Sequence, residues 1–454
     1  MLFSANAWRG SRYRKSLFLA LPLIGSNLAQ SIKHLTDTVM MGWYGVTELA
    51  AVVLAASLWS IVFIVGAGIG MAVVPLAAGA QGRAQTWQVR RLVRMGCWLS
   101  LCYCMVAFPL FIFGEPIFLQ LRQEPEVAFL AGSYLKIAVW ALVPALVVMT
   151  LKAFFLALVR PQIILWSTIS GAILNVFVNY ALIFGNWGAP ELGVSGAAIA
   201  TVFSHTFSLV VMLLYIAMVR SFRTYRLLSN VWRPHWSSLK EVLFLGAPIS
   251  ITLIAETTLF GCSAVLMGWI DTATLAAHGI VIEIAAFVFM IYLGLANAAT
   301  TEVSLAVGQA DLKEVRAAAR AVQHLTLATV ALVVIVLIAF SSTLISAFLD
   351  ADAGDAAEVL RIGVTLMYFC AFFQLADAMQ VVVLGLLRGL GDTRGPMIIA
   401  AFSYSLVGLP ISYFLGFTLG LGGPGVWTGL IVGLGLAAVL FSWRFRKRLA
   451  ALSL

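Results

Sequence analysis

Charge is what this sequence has least of. Of 454 residues only 10% are Asp, Glu, Lys or Arg, while 62% are hydrophobic. A soluble chain of this size needs about a quarter of its residues charged to coat its surface, so a soluble globular fold is excluded. Cysteine is also sparse. Cys97, Cys102, Cys104, Cys262 and Cys370 all fall inside apolar runs, in no metal-ligand spacing, and are expected to be buried, inert thiols. Short alternating strands are absent, which excludes a β-barrel. No G-x-x-x-x-G-K-[ST] phosphate loop, no HExxH and no G-x-S-x-G with a plausible partner set is present, so nucleotide-driven pumping and the commoner hydrolytic sites have no footing. An enzyme is not expected, and neither is a cofactor.

What is present is apolar length. Runs of about 20 residues, enough to cross a hydrocarbon core, recur at roughly 16–41, 50–80, 93–114, 130–158, 163–185, 193–219, 240–268, 275–307, 321–349, 358–387, 396–417 and 423–444. Lipid offers backbone groups no partners, so the spans are expected to be helices. The predicted class is an all-α integral membrane protein of twelve spans. The first run is too long for a signal peptide and no A-x-A-like site follows it, so no cleavable leader is expected.

The net charge of +9 is not a nucleic-acid signal, because the basic residues segregate. With the first terminus placed in the cytoplasm, 23 of the 28 basic residues fall on that side. They run from Arg9 and Arg12 through Arg90, Arg94, the 219–242 loop and Arg388 to the tail around Arg448. The opposite side carries Arg122 and Arg361 together with acids such as Glu115, Glu124, Asp350, Asp352 and Asp355. This is the positive-inside pattern of a multi-pass membrane protein, and it puts both termini in the cytoplasm.

The two halves repeat. An offset of 226 carries Pro22 to Pro248, Gly42-Trp43 to Gly268-Trp269, Gly68 to Gly294, Gly82 to Gly308 and Arg94 to Arg320 without a gap. Six spans per half make the repeat parallel, with a pseudo-two-fold axis along the membrane normal, which is a transporter design. The expected lobes are 1–228 and 229–454. The basic linker 219–242, with Trp232 and Trp236 interleaved, reads as a loop lying partly on the membrane surface.

Ionisable residues inside spans mark function or pairing. Asp37, Glu256, Glu283, Glu302 and Asp377 are the acids, and Lys33, Lys136 and Lys152 the bases. Asp37 lies four residues after Lys33, so the two form either a plain ion pair or a tuned site. Glu302 is expected to be wetted near a span end, Glu283 is a site acid or a structural one, and Lys136 is expected to snorkel. Glu256 and Asp377 have the fewest nearby cations and are the strongest functional candidates. Burial opposes their ionisation while a bound cation favours it. A proton or Na⁺ would therefore compete with a cationic substrate for the same carboxylates.

The stretches LTDTVMMGWYG, IAETTLFGCSAVLMG, LAAHGIVIEIAAFVFMIYLGLANAATTEVSLAVGQ and QLADAMQVVVLGLLRGLGDTRGPM resemble the multidrug and toxic compound extrusion family, above all its NorM-type bacterial branch. The resemblance covers nearly the whole chain. It implies export of organic cations and toxic amphiphiles in exchange for H⁺ or Na⁺ by alternating access, through a protein expected to act as a monomer among membrane lipids. It places ion coupling and substrate-cation binding at Asp37, Glu256 and Asp377, with Na⁺ possible at the latter two. Gln30, Lys33, Asn175, Asn179, Glu283 and Tyr292 are further polar candidates. Several positions depart from the pattern: Phe373 replaces a Tyr, Glu302 a basic residue and Glu283 an amide, and Lys33 is unusual. Loss of the Tyr oxygen favours H⁺, since Na⁺ needs several oxygen ligands. A lipid-linked oligosaccharide flippase is the alternative reading, but it would want a cationic cavity where acids here outnumber lysines.

Overall fold

A computed structural model describes residues 12–227, 229, 234–349 and 356–452. Arg9, Trp232, Arg233, Asp350, Asp352 and Asp355 lie outside the described residues. The described chain is almost wholly helical. Its helices are α1 (Arg12–Tyr44), α2 (Val46–Gly82), α3 (Thr86–Ile112), α4 (Gly114–Gln120), α5 (Pro125–Ala157), α6 (Gln162–Phe184), α7 (Gly193–Met218), α8 (Arg220–Arg223), α9 (Trp236–Ile270), α10 (Thr272–Gly308), α11 (Leu312–Ala339), α12 (Ser341–Ser346), α13 (Ala356–Gly389), α14 (Arg394–Ala401), α15 (Leu409–Tyr413) and α16 (Gly422–Ala451). One π-helical stretch, Phe402–Gly408, joins α14 to α15, and a second, Phe414–Thr418, extends α15, so that Arg394–Thr418 is one span.

Eleven helices among the described residues are long and apolar enough to cross a membrane. The remaining expected span, 16–41, is α1. At 33 residues it is about 50 Å long, but Asn27, Gln30, Lys33, His34 and Asp37 make it more polar than the others. Prolines sit inside α1, α2, α3, α5 and α9, each removing one ladder hydrogen bond. The ninth expected run, 321–349, is not one helix: α11 ends at Ala339 and the short α12 follows.

Contacts divide the chain into two compact units, the described part of Met1–Ile24 with Ile251–Leu454, and Gly25–Ser250. The divisions thus fall inside α1 and α9 rather than in the 219–242 linker. Close helix approach at glycine is the reason. In the unit Gly25–Ser250, a Cβ on Gly68 of α2 would stand 2.2 Å from Ser250 Oγ and 2.7 Å from Ser250 N. Ser250 Oγ there donates to the Val65 carbonyl at 2.7 Å. In the other unit, a Cβ on Gly294 of α10 would meet Ile24 Cγ1 at 2.5 Å and Ile24 N at 2.9 Å. The 226-residue repeat extends to the turns: Ala84 after α2 and Ala310 after α10 both adopt left-handed backbone, φ 58° and 57°.

The start of the linker packs against the protein, while Trp236 at its far end is exposed. Phe222, Tyr225 and Leu227 are buried. Phe222 packs edge-on against Phe154 and Phe155, and Tyr225 donates to Gln81 Oε1 at 2.9 Å. Arg94 reaches the Ser229 carbonyl at 2.6 Å. These three apolar side chains are covered by protein, which offers aromatic packing as well as exclusion of water. The cysteines are free. Cys104 and Cys370 are buried as expected, but Cys102 is exposed and Cys97 and Cys262 are half-buried, since α3 and α9 each keep one face out of the packing.

Candidate functional site

Glu256 of α9 and Asp377 of α13 come together in the unit Ile251–Leu454. Glu256 is 8% exposed and Asp377 2%. The side-chain amide of Gln380, one turn after Asp377, donates to Glu256 Oε1 at 2.9 Å and points to Asp377 Oδ1 at 3.4 Å. Its carbonyl accepts from the Tyr404 hydroxyl at 2.8 Å. Tyr404 comes from the first π-helical stretch, the kind of irregular turn that recurs at functional sites. Two acids, an amide and a phenol thus form one buried chain. Tyr292 is fully buried, and among the described residues its hydroxyl has no hydrogen-bond partner.

Phe373 contributes no oxygen. Its ring packs edge-on against Trp427 at 5.5 Å and Phe260 at 6.0 Å, which makes it part of the apolar wall. A cation also attends the site. Arg388, 5% exposed, is within electrostatic reach of Glu256, and among the described residues its Nε and Nη2 make no hydrogen bond. Glu256, expected to be among the acids with the fewest nearby cations, thus has this one within reach. Arg388 reads in sequence as a solvated residue at a span end, but α13 continues to Gly389 and buries it.

In the unit Gly25–Ser250, Asp37 accepts from Asn179 Nδ2 at 2.5 Å, and the same amide nitrogen lies 3.3 Å from Asn175 Oδ1. Both asparagines are fully buried on α6. Their spacing of four residues puts them on one helix face. Among the described residues Lys33 has no carboxylate within the 4.0 Å of an ion pair. Its ammonium lies 3.5 Å from His205 Nε2 of α7 instead. The plain Lys33–Asp37 ion pair is thus not formed. Gln30 bonds His34 at 3.2 Å, one turn along α1.

Other predicted residues stand apart. Glu283 is exposed on α10. Glu302 is not wetted: it is 8% exposed, pairs with Arg12 at 3.0 Å and accepts from Ser16 Oγ at 3.1 Å. Arg12 also pairs with Glu314, and Lys15 lies 3.8 Å from it. Lys136 pairs with Glu115 at 3.4 Å. Gln380, Tyr404 and Arg388 are the site residues that sequence reading missed. The available signal was Gln380 at i+3 from Asp377, which faces the same side of a helix.

A membrane-spanning helical chain with a hydrogen-bonded acid inside a span of each of its two units has the make-up of a membrane transporter. The MatE family model matches it twice, over residues 22–181 and 248–414, and the chain belongs to that family. The two matches start at Pro22 and Pro248, the offset of the repeat. It is 43% identical to a "Probable multidrug resistance protein NorM" of Rhizobium meliloti strain 1021, over 99% of this chain and 96% of that one. To the protein of the same name in Agrobacterium fabrum strain C58 it is 42% identical, over 96% and 94%. A solved structure, the outward-facing conformation of a multidrug resistance MATE family transporter, superimposes with a TM-score of 0.89. It covers 99% of both chains at 18% identity, and so bears on the fold alone.

Proposed function

We propose that this protein is a secondary active multidrug exporter that exchanges organic cations for protons by alternating access. The observation that carries the reading is the Glu256–Gln380–Asp377 chain. Two carboxylates in one low-dielectric pocket disfavour double ionisation, so the pair takes up a monovalent cation readily and titrates as a unit. The NorM names of the relatives support multidrug efflux. The gradient supplies the drive: ion entry neutralises the acids and releases the drug on one side, and ion loss restores them on the other.

Protons suit this site better than Na⁺. Gln380 turns its NH₂ donors, not its oxygen, toward both acids, and that oxygen is engaged by Tyr404. Phe373 supplies none. Na⁺ would need several oxygens in that space. In proteoliposomes at clamped voltage, an imposed pH gradient is expected to drive tetraphenylphosphonium export and a Na⁺ gradient at fixed pH to drive little. Full export on Na⁺ alone with none on pH would sink the proton assignment.

The protein acts in the bacterial inner membrane with both termini cytoplasmic, as the segregation of basic residues supports. Single cysteines replacing Ser229 and Arg122 in a cysteine-free background should label from opposite sides of the membrane. Labelling of both from outside would reverse this reading.

A further inference from the structure

The start of α3, in the unit Gly25–Ser250, carries a cluster of arginines far from either acid site. Trp87, Arg90, Arg91 and Arg94 follow one another at spacings that bring them onto one face of the helix within about two turns. Arg91 lies over the Trp87 ring, 4.7 Å from its centroid. Arg94 donates to the Ser229 carbonyl at 2.6 Å, which ties the cluster to the linker. The charges of Arg90 and Arg91 bear on Arg94, and like charges one turn apart on a helix oppose each other.

The three arginines are half-buried. Among the described residues neither Arg90 nor Arg91 forms an ion pair, and Arg90 makes no hydrogen bond, although its Nε is buried. Of the acids in residues 25–250, Glu241 alone falls on this side by the topology proposed above, and the cation within its reach is Arg83. Trp87 is 50% exposed, an indole of the kind that settles at the boundary of lipid and water. Arg94 stands about 10 Å farther along the helix, more than the headgroup layer of about 5–8 Å is deep. Side chains tilt back toward the N-terminus of a helix, which returns the guanidinium groups to the level of the lipid phosphates. A phosphodiester matches them there. Its oxygens accept charge-assisted bonds from an arginine fork, and its charge relieves the repulsion among the three cations. The repeat supplies a contrast. At the offset of 226, Arg316 and Arg320 take the places of Arg90 and Arg94, but Lys313 replaces Trp87 and Ala317 replaces Arg91. Arg316 and Arg320 are exposed, so water screens them.

We propose that Trp87, Arg90, Arg91 and Arg94 form a binding site for the headgroup of an anionic phospholipid, with the arginines on its phosphate and the indole beside them at the membrane boundary. The leaflet that supplies the lipid rests on the sidedness proposed above. The selectivity for lipid does not, and neither depends on ion coupling.

The test is native mass spectrometry of the full-length protein in a neutral detergent, where single lipid adducts are resolved. The probes are dioleoylphosphatidylglycerol and, as its control, dioleoylphosphatidylcholine. The anionic lipid should form its first adduct at least about tenfold more tightly than the zwitterionic one, since each basic residue at a membrane surface contributes about fivefold. Arg90→Gln combined with Arg91→Gln leaves the Arg94–Ser229 bond in place. The pair should weaken phosphatidylglycerol by about tenfold or more and leave phosphatidylcholine unchanged. Arg316→Gln combined with Arg320→Gln removes the same charge from the matching helix of the other half, and should cost less than about threefold. Equal affinity of the wild type for the two lipids overturns the proposal without need of any variant. So does wild-type affinity for phosphatidylglycerol in the Arg90–Arg91 variant. An equal loss in the two double variants would assign the preference to overall charge and overturn the site as well. Glycerol phosphate at the concentration of the lipid should leave the adduct in place. Displacement by it would assign the cluster to a soluble phosphate and overturn the lipid. Failure here would leave gradient-driven tetraphenylphosphonium export standing, and failure of that export would leave this binding result intact.

Discussion

Gly68 and Gly294, 226 residues apart, hold the same place in the two halves of the chain, and each packs on the first helix of the other half. Gly68 receives Ser250 of α9, and Gly294 receives Ile24 of α1. The contacted positions are themselves 226 apart. A Cβ at Gly294 would sit 2.9 Å from a backbone nitrogen, which cannot move out of the way as a side-chain tip can. Gly294→Val should therefore cost about 1–3 kcal/mol, the range for overpacking, and Gly68→Val a similar amount. Thermal unfolding of detergent-purified protein measures both. An unchanged midpoint for either would mean that the helices separate without penalty there.

Ala84 and Ala310 take left-handed backbone that favours glycine. Ala84→Gly and Ala310→Gly should each stabilise the fold by about 1 kcal/mol, the penalty an L-residue carries there. Ala310→Val should lower the unfolding midpoint.

At the acid pair, Glu256→Gln and Asp377→Asn should fold and reach the membrane but lose most pH-driven export. Gln380→Leu should do nearly as much damage, because it leaves both carboxylates without their shared donor and orphans Tyr404. Tyr404→Phe should be milder, as the Gln380–Glu256 bond survives it. Wild-type export in well-expressed Glu256→Gln would remove this glutamate from the coupling.

Glu302 should prove structural. Removing one partner of a buried ion pair typically costs about 3–5 kcal/mol, and Glu302→Gln should fall at or below the low end because Arg12 keeps Glu314. A double-mutant cycle with Arg12→Met should give a favourable coupling energy. Export per folded molecule should change little.

Asp392, between α13 and α14, is 6% exposed. It accepts from Arg444 Nε at 2.7 Å and Arg448 Nε at 2.8 Å. Burial pushes its carboxyl up, but the two guanidinium groups outweigh that and hold it below its ordinary 3.8. A carboxyl held low in the folded state adds stability above its unfolded value, and loses it as pH falls through the folded one. The gap in unfolding temperature between wild type and Asp392→Asn should be full at neutral pH and close below about pH 4. A gap that persists undiminished at low pH would assign the effect to packing.

The helices were legible because lipid enforces length and apolarity, and eleven expected spans meet helices of the right kind. Partnerships were not. Lys33 and Asp37 stand at ion-pair spacing on α1, yet Asn179 takes the acid and His205 the base, since helix register says nothing of what neighbouring helices offer. Glu302 reads as wetted in sequence because Arg12, its partner, lies 290 residues away. Gln380 and Tyr404 went unnoticed because a neutral amide and a phenol raise no alarm in an apolar run. Arg388 reads as a solvated span-end cation because charge alone does not reveal where a helix stops.

The exchange of first helices has a consequence for synthesis on the ribosome. Ile24 leaves the exit tunnel 270 residues before its partner Gly294, a wait of roughly 15–55 s at usual elongation rates. Through that interval the leading half of α1 has no native surface to rest on. The unit Gly25–Ser250 is likewise incomplete until the first turns of α9 emerge. Halves expressed separately from a cut at residue 228 would each lack the helix segment that closes them, so neither should mature without the other.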